Sequence, residues 1–266
     1  MADVGTQLMK KRPRNSRSRR GNRDRIAPHT DRRRFRVPLE LSVLYEDDAV
    51  VVLNKPAGLL AVPIKGLDTP SAFSLLVARL KPKRQRALVV HRIDQYASGI
   101  LLFAKTDADR DALVRQFLAH APGRQYLAVV RGQLGVTEGT LVHYFRRVGM
   151  FQQLRTAKDP QAARAELRYS VERAFADASL VHVELVTGLQ NQIRAQFSAM
   201  GHPIIGDRKY HRAESSEQLI DRVALHATHL EFVHPRSGES VSIDCAPPPD
   251  FQHLLRELSR TTRSRR

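Results

Sequence analysis

The chain has 266 residues, a net charge of +17, 42% apolar residues and a single cysteine, Cys245. That length allows one large domain or two small ones with a sizeable core. One cysteine excludes an internal disulfide and a Cys-rich zinc site, and no apolar run reaches the ~18–20 residues that span a bilayer.

Residues 1–36 hold 13 Lys or Arg against Asp3, Asp24 and Asp31, a net +10. They have neither hydropathic periodicity nor the apolar stretch of a secretory signal, so a disordered basic tail is expected, suited to binding a polyanion such as RNA. A reducing, cytoplasmic setting fits. Ser42–Glu46 and Ala49–Asn54 read as strands joined at Asp47-Asp48. Thr69-Pro70 opens a helix that ends before Pro82. Leu88–Val90 is a short strand running into His91-Arg92-Ile93-Asp94, and Gly99–Ala104 is another strand. Thr106 with Asp109 forms a capping pattern before a helix that buries Leu113, Phe117 and Leu118. Tyr126–Val130, Ala165–Glu172 and Leu180–Val186 read as strands. Gln192–Met200 is a helix with Ile193, Phe197 and Met200 on one face, ended at Gly201. Leu225–Phe232 and Ser240–Asp244 form a last strand pair, and Phe251–Leu258 a short terminal helix. Residues 259–266 are a second basic tail, with four arginines and no acid. Only +3 of the charge then falls on 37–258. The pattern predicts one α+β domain over 37–258, with a mixed, largely antiparallel central sheet and flanking helices.

Gly-rich phosphate loops and HExxH do not occur, and the histidines lack metal-ligand spacing. Nucleotide hydrolysis, dinucleotide redox chemistry and the common zinc chemistries are therefore not expected. What stands out is His91-Arg92-Ile93-Asp94-Gln95-Tyr96-Ala97-Ser98-Gly99. Here a carboxylate leaves a buried strand beside a basic pair and precedes a small-residue turn. Such an Asp suits a nucleophile or general base at a cleft wall. Taken alone, an Asp after a strand is more often a turn or cap residue.

The same stretch resembles the HRLDxxTSG signature of RluA-type pseudouridine synthases. Val51–Pro56 with Gly58, Arg124–Gly132, Leu185–Arg194 and Gly201–Tyr210 resemble further motifs of that family, in the same order. The resemblance covers roughly 40–245. It implies isomerisation of uridine to pseudouridine in rRNA or tRNA, with no metal, nucleotide or other cofactor; nothing in the sequence demands a dimer, and a monomer is expected. It implies Asp94 as the catalytic carboxylate, attacking the sugar or base or abstracting a sugar proton. Arg194 would pair with Asp94, and Tyr126 would contact the base, with uptake of the C5 proton as a further role. Arg92, Lys55, Arg124, Asn191 and Gln192 are the expected RNA-contacting residues, Arg92 as a wedge or phosphate contact and Lys55 as a phosphate-facing or structural lysine. Three positions depart from the family pattern: Leu189 stands in place of Arg, Asn191 in place of His, and Ala97 in place of Thr. These departures leave a second reading open, a catalytically silent relative that binds structured RNA or assists ribosome assembly.

Overall fold

The computed structural model describes residues 40–210 and 219–264. The segment 1–36, expected as a basic tail, lies outside the described residues, as do residues 265 and 266. Among the described residues, eleven strands form one sheet. They are β1 (Ser42–Glu46), β2 (Val50–Lys55), β3 (Leu88–Val89), β4 (Ser98–Ala104), β5 (Gly123–Arg131), β6 (Glu138–Val148), β7 (Phe151–Arg155), β8 (Ala163–Ala174), β9 (Ala178–Leu185), β10 (Leu225–Val233) and β11 (Ser240–Asp244). Four helices flank them: α1 (Ala72–Leu80), α2 (Asp107–Leu118), α3 (Gln192–Ala199) and α4 (Pro249–Ser264). No helix among the described residues is long and apolar enough to cross a membrane.

The strand order is β1-β2-β4-β10-β5-β9-β8-β6-β7, with β3 on β4 and β11 on β10. Every pairing is antiparallel except β4 with β10. The α+β architecture with a mixed, largely antiparallel sheet is thus as the sequence predicts. The parallel seam is short, consisting of His226 opposite Ser98 and Ala227 opposite Gly99. Gly99 has φ +107°, and a Cβ there would lie 2.1 Å from the Ala227 carbonyl oxygen. Only glycine allows so close an approach of two backbones.

Local chemistry sets most element ends. Asp47 bridges β1 and β2 by accepting bonds from Ala49 N (2.7 Å) and Val50 N (2.8 Å), an Asx turn. α1 begins two residues later than Thr69-Pro70 suggests, because Ser71 and Ser74 exchange hydrogen bonds as a capping box. Thr106 caps α2 through Asp109 N, as expected.

Two elements differ from the sequence reading. The hairpin β6–β7 was not expected. In β6 the inward face is carried by Gly139, Leu141, His143 and Phe145, so only two of its positions are apolar and the strand's alternation is weak in the sequence. The terminal helix runs to Ser264 rather than Leu258. Thr262 Oγ1 accepts from Ala176 N at 3.0 Å, docking the last turn on the β8–β9 connection. Residues 259–264 of the basic C-terminal segment are therefore helical.

Candidate active site

Asp94 lies in the loop between β3 and β4, where the backbone leaves one strand and must turn before the next. Ala97 N closes the turn on the Asp94 carbonyl at 3.2 Å. A second set of bonds holds the loop from below. Lys55 at the end of β2 donates its ammonium to the carbonyls of Pro56 (2.8 Å), Leu59 (2.9 Å) and Gln95 (3.0 Å). Gln95 also donates to Gly58 O, and Gly58 N donates back to Gln95 O. The Lys55–Gly58 turn and the Asp94 loop are thereby one hydrogen-bonded unit. His91, just upstream, stacks on Phe117 at 4.6 Å and accepts from Leu102 N through Nε2. Burial, and then the charge of Arg124, pushes its imidazole down to about 3.

Arg194, in the first turn of α3, is the hub of the site. Its Nε and Nη2 donate to the two oxygens of Asp207 at 2.7 Å each. Its Nη1 donates to Asn191 Oδ1 at 2.8 Å and to Asp94 Oδ2 at 3.3 Å. The guanidinium also lies 5.5 Å from the centre of the Tyr210 ring. Burial opposes the charge of Arg194, but the bonds and charge of Asp207, backed by Asp94, raise its pKa above the ordinary value. Asp207 is fully buried, whereas the Asp94 side chain keeps 18% exposure. Arg194 is therefore fixed by one carboxylate and offered, through a longer bond, to the other.

Asp94 opens onto a cleft of about 460 Å³, lined by Arg92, Asp94, Arg124, Tyr126, Leu189 and Asn191 among others. Tyr126 and Arg124 alternate with Gln125 along β5, which puts both on the cleft side. Burial pushes the Tyr126 phenol up to about 12; Arg124 pulls against this and Asp94 adds to it. Tyr126 is thus a neutral phenol at neutral pH. Burial also lowers the pKa of Arg124, whose guanidinium lies 5.8 Å from the Phe117 ring centre. Its Nε is buried with no hydrogen-bond partner. Gly188 makes room for this side chain, since a Cβ there would lie 2.7 Å from Arg124 Nη1. Arg92 is exposed at the cleft wall.

The structure brings Asp94, Tyr126 and Arg194 together, with Arg92 and Arg124 facing the same space. It corrects two expected RNA contacts. Lys55 is fully buried with its three donors on carbonyls, so it braces the Asp94 loop and does not face phosphate. Gln192 is 2% exposed, and its amide is spent on Thr187, Leu189 N, Glu166 O and Gln196. It shapes the cleft wall from inside the protein. Asn191 lines the cleft but turns its oxygen to Arg194, while its Nδ2 is buried without a partner. Its φ of +55° is a conformation that Asn tolerates well. Leu189 packs against Phe145, Ala165 and Ala195 where an Arg was expected by resemblance. Asp207 and Tyr210, which complete the Arg194 shell, were not picked out as site residues. Their signal was present in Gly201–Tyr210, a segment noted only as a motif.

The family model described as RNA pseudouridylate synthase matches residues 49–199. Ribosomal large subunit pseudouridine synthase D of Zymomonas mobilis is 32% identical across 86% of this chain and 75% of its own length. The RNA pseudouridine synthase YlyB of Bacillus subtilis is 34% identical across 83% of this chain and 74% of its own. The structure of human RNA pseudouridylate synthase domain containing 1 superimposes with a TM-score of 0.69 at 22% identity, covering 86% of this chain and 98% of that one. The match of family model and relatives over most of the chain means that it belongs to the RNA pseudouridylate synthase family.

Proposed function

We propose that this chain isomerises uridine to pseudouridine in ribosomal RNA, with Asp94 as the catalytic carboxylate. The observation that carries this reading is the Asp94–Arg194 pair at the edge of a cleft that also presents Tyr126. The ribosomal substrate is taken from the relatives named for the large subunit. The reaction breaks the bond from the sugar C1′ to N1 of the base, turns the base, and joins C1′ to C5. N1 ends with a proton, and C5 gives one up. No redox change occurs.

Each residue has a part that its position supports. Asp94 is partly exposed and acceptor-only when ionised, so it can attack carbon or take a proton. Arg194 holds it in place without covering it, because Asp207 takes the stronger two-bond grip. Tyr126 meets the base as a ring and a neutral hydroxyl; a phenol with a pKa near 12 is a poor base at neutral pH. Arg124 and Arg92 supply positive charge to the RNA backbone. The target uridine must leave its stack to enter the cleft.

The test is Asp94→Asn, which keeps size and turn-forming capacity and removes the charge. Pseudouridine yield on ribosomal RNA should fall to background while RNA affinity stays within about twofold. Substantial isomerisation by the Asn variant would remove Asp94 from the chemistry. An inactive wild type that still binds RNA would instead favour a silent RNA-binding relative, a reading that Leu189 and Asn191 keep open.

A further inference from the structure

The hairpin β6–β7 turns at Gly149-Met150, and two cations converge on that turn. Arg147 Nε donates to Gly149 O at 3.1 Å. Lys209 Nζ donates to Met150 O, the next carbonyl along. Consecutive α-carbons are 3.80 Å apart, so the two heads are tethered to neighbouring peptide units. Neither has a carboxylate within ion-pair distance among the described residues. Arg147 lines the cleft that holds Asp94. Lys209 follows Asp207, the residue that fixes Arg194, and its ammonium lies 5.0 Å from the Phe151 ring centre and 5.6 Å from that of Tyr210.

Two like charges gathered on one turn repel each other, and the half-buried Lys209 responds. Burial lowers its pKa first, Arg194 and Arg147 lower it further, and Asp94 and Asp207 oppose them. Among the described residues neither head uses all its donors: Arg147 has only its Nε engaged, leaving two terminal nitrogens for a forked contact, and Lys209 has N–H groups to spare. A pair of this kind, without an ion-pair partner among the described residues and placed at the lip of a cleft, is matched by an anion with several oxygens. The turn around it is also apolar and exposed, with Met150 at 67% and Phe151 at 39%. Cations beside exposed apolar and aromatic groups suit a nucleotide chain better than a free ion.

We propose that Arg147 and Lys209 form a phosphate subsite at the cleft mouth, binding an RNA backbone phosphate next to the target uridine. This rests on the function proposed above and adds the place where the substrate's backbone is held. It also gives the β6–β7 hairpin a task that no other feature of the site assigns to it.

The probe is oligouridylate, and the protein is the full chain carrying Asp94→Asn so that the RNA stays unconverted. Affinity is measured across a series of KCl concentrations, with Arg147→Gln and Lys209→Gln added singly and together. Each lost phosphate contact should lower the slope of log affinity against log salt by roughly 0.7 on a single strand. Because both cations grip one phosphate, the double variant should show that full loss and each single variant only part of it, and Lys209→Arg should restore its share. In chains with Asp94 intact, the same changes should raise KM on protein-free ribosomal RNA several-fold and leave kcat within about twofold. Thermal melting should not move, since neither side chain is fully buried. An unchanged slope with unchanged KM overturns the subsite. So does a fall in kcat with the slope unchanged, which would make the pair supports of the hairpin. A wild-type chain that forms no pseudouridine would defeat the parent reading alone, because the salt slope still decides the subsite.

Discussion

Asp207 gives both its carboxylate oxygens to Arg194 and lies wholly inside the protein. Removing its charge strands a buried guanidinium. Asp207→Asn should therefore cost about 3–5 kcal/mol of stability and misplace Arg194 against Asp94. Chemical denaturation and pseudouridine yield measured together check this; an unchanged midpoint would show that Arg194 finds another partner. The departures from the family pattern behave differently. Asn191→His should be tolerated, because His also occurs at positive φ, but the acceptor on Arg194 Nη1 would be replaced by a ring nitrogen. Leu189→Arg removes an apolar contact with Phe145 and Ala195 and brings a cation to the cleft wall. RNA affinity should rise and melting temperature fall slightly; a loss of both would mean that the cleft cannot accept the longer side chain. The family motifs make Asp94, Tyr126 and Arg194 legible as a set in the sequence. The inward turn of Lys55 and Gln192 was not legible, because a motif reports identity and not direction. Both are polar residues at places where buried carbonyls need donors, and nothing in spacing tells that from a surface contact.

At the scale of elements, the Lys55–Gly58 turn is as much a part of the site as the Asp94 loop. Lys55→Met would take the ammonium from the Pro56 and Leu59 carbonyls and leave Gln95 O, beside Asp94, with only its bond from Gly58 N. A stability loss of about 3 kcal/mol or more is expected, with activity falling further than stability predicts, since the loop loses its brace. Equal activity at a temperature well below melting would show that the brace is dispensable. Strands with buried runs, such as β2, β4 and β5, were legible because their apolar residues are contiguous. The hairpin β6–β7 was not, since a sheet-edge ribbon that buries few side chains carries little hydropathic signal. That ribbon holds the proposed phosphate subsite, so the least legible element carries the least expected function.

For the whole molecule, charge and protonation make the accessible predictions. Residues 1–36 carry a net +10, more than half of the chain's +17. Deleting them should weaken RNA binding and flatten its salt dependence, with melting temperature unchanged. Equal binding at low salt would rule out an RNA arm. Truncation at Leu258, by contrast, removes the Thr262–Ala176 bond and should lower melting by a few degrees. pH acts most through two buried histidines held neutral, with His143 shifted the same way by burial. Burial lowers both His91, to about 3, and His226. The unfolded chain takes up their protons near pH 6.5 and the folded chain does not, so stability falls as pH drops through 6.5. Melting scans at pH 7 and pH 5 should show the lower value at pH 5, and a higher one would reverse the assignment.

The parallel seam between β4 and β10 divides the proposed catalytic set. Asp94 enters β4 on one side, while Tyr126 and Arg194 belong to strands and a helix reached through β10 on the other. Two register pairs and the Ser98–His226 bond of 2.9 Å run along that boundary, and the Asp94–Arg194, Gln116–Val233 and Arg236–Asp109 bonds cross it further out. On the function proposed above, turnover needs both sides of this seam in register, so activity is a readout of whether the seam is closed. Heat inactivation should precede melting, as expected where a small unit opens below the global transition. Gly99→Ala, forcing a methyl against the Ala227 carbonyl, should widen the gap between the two temperatures.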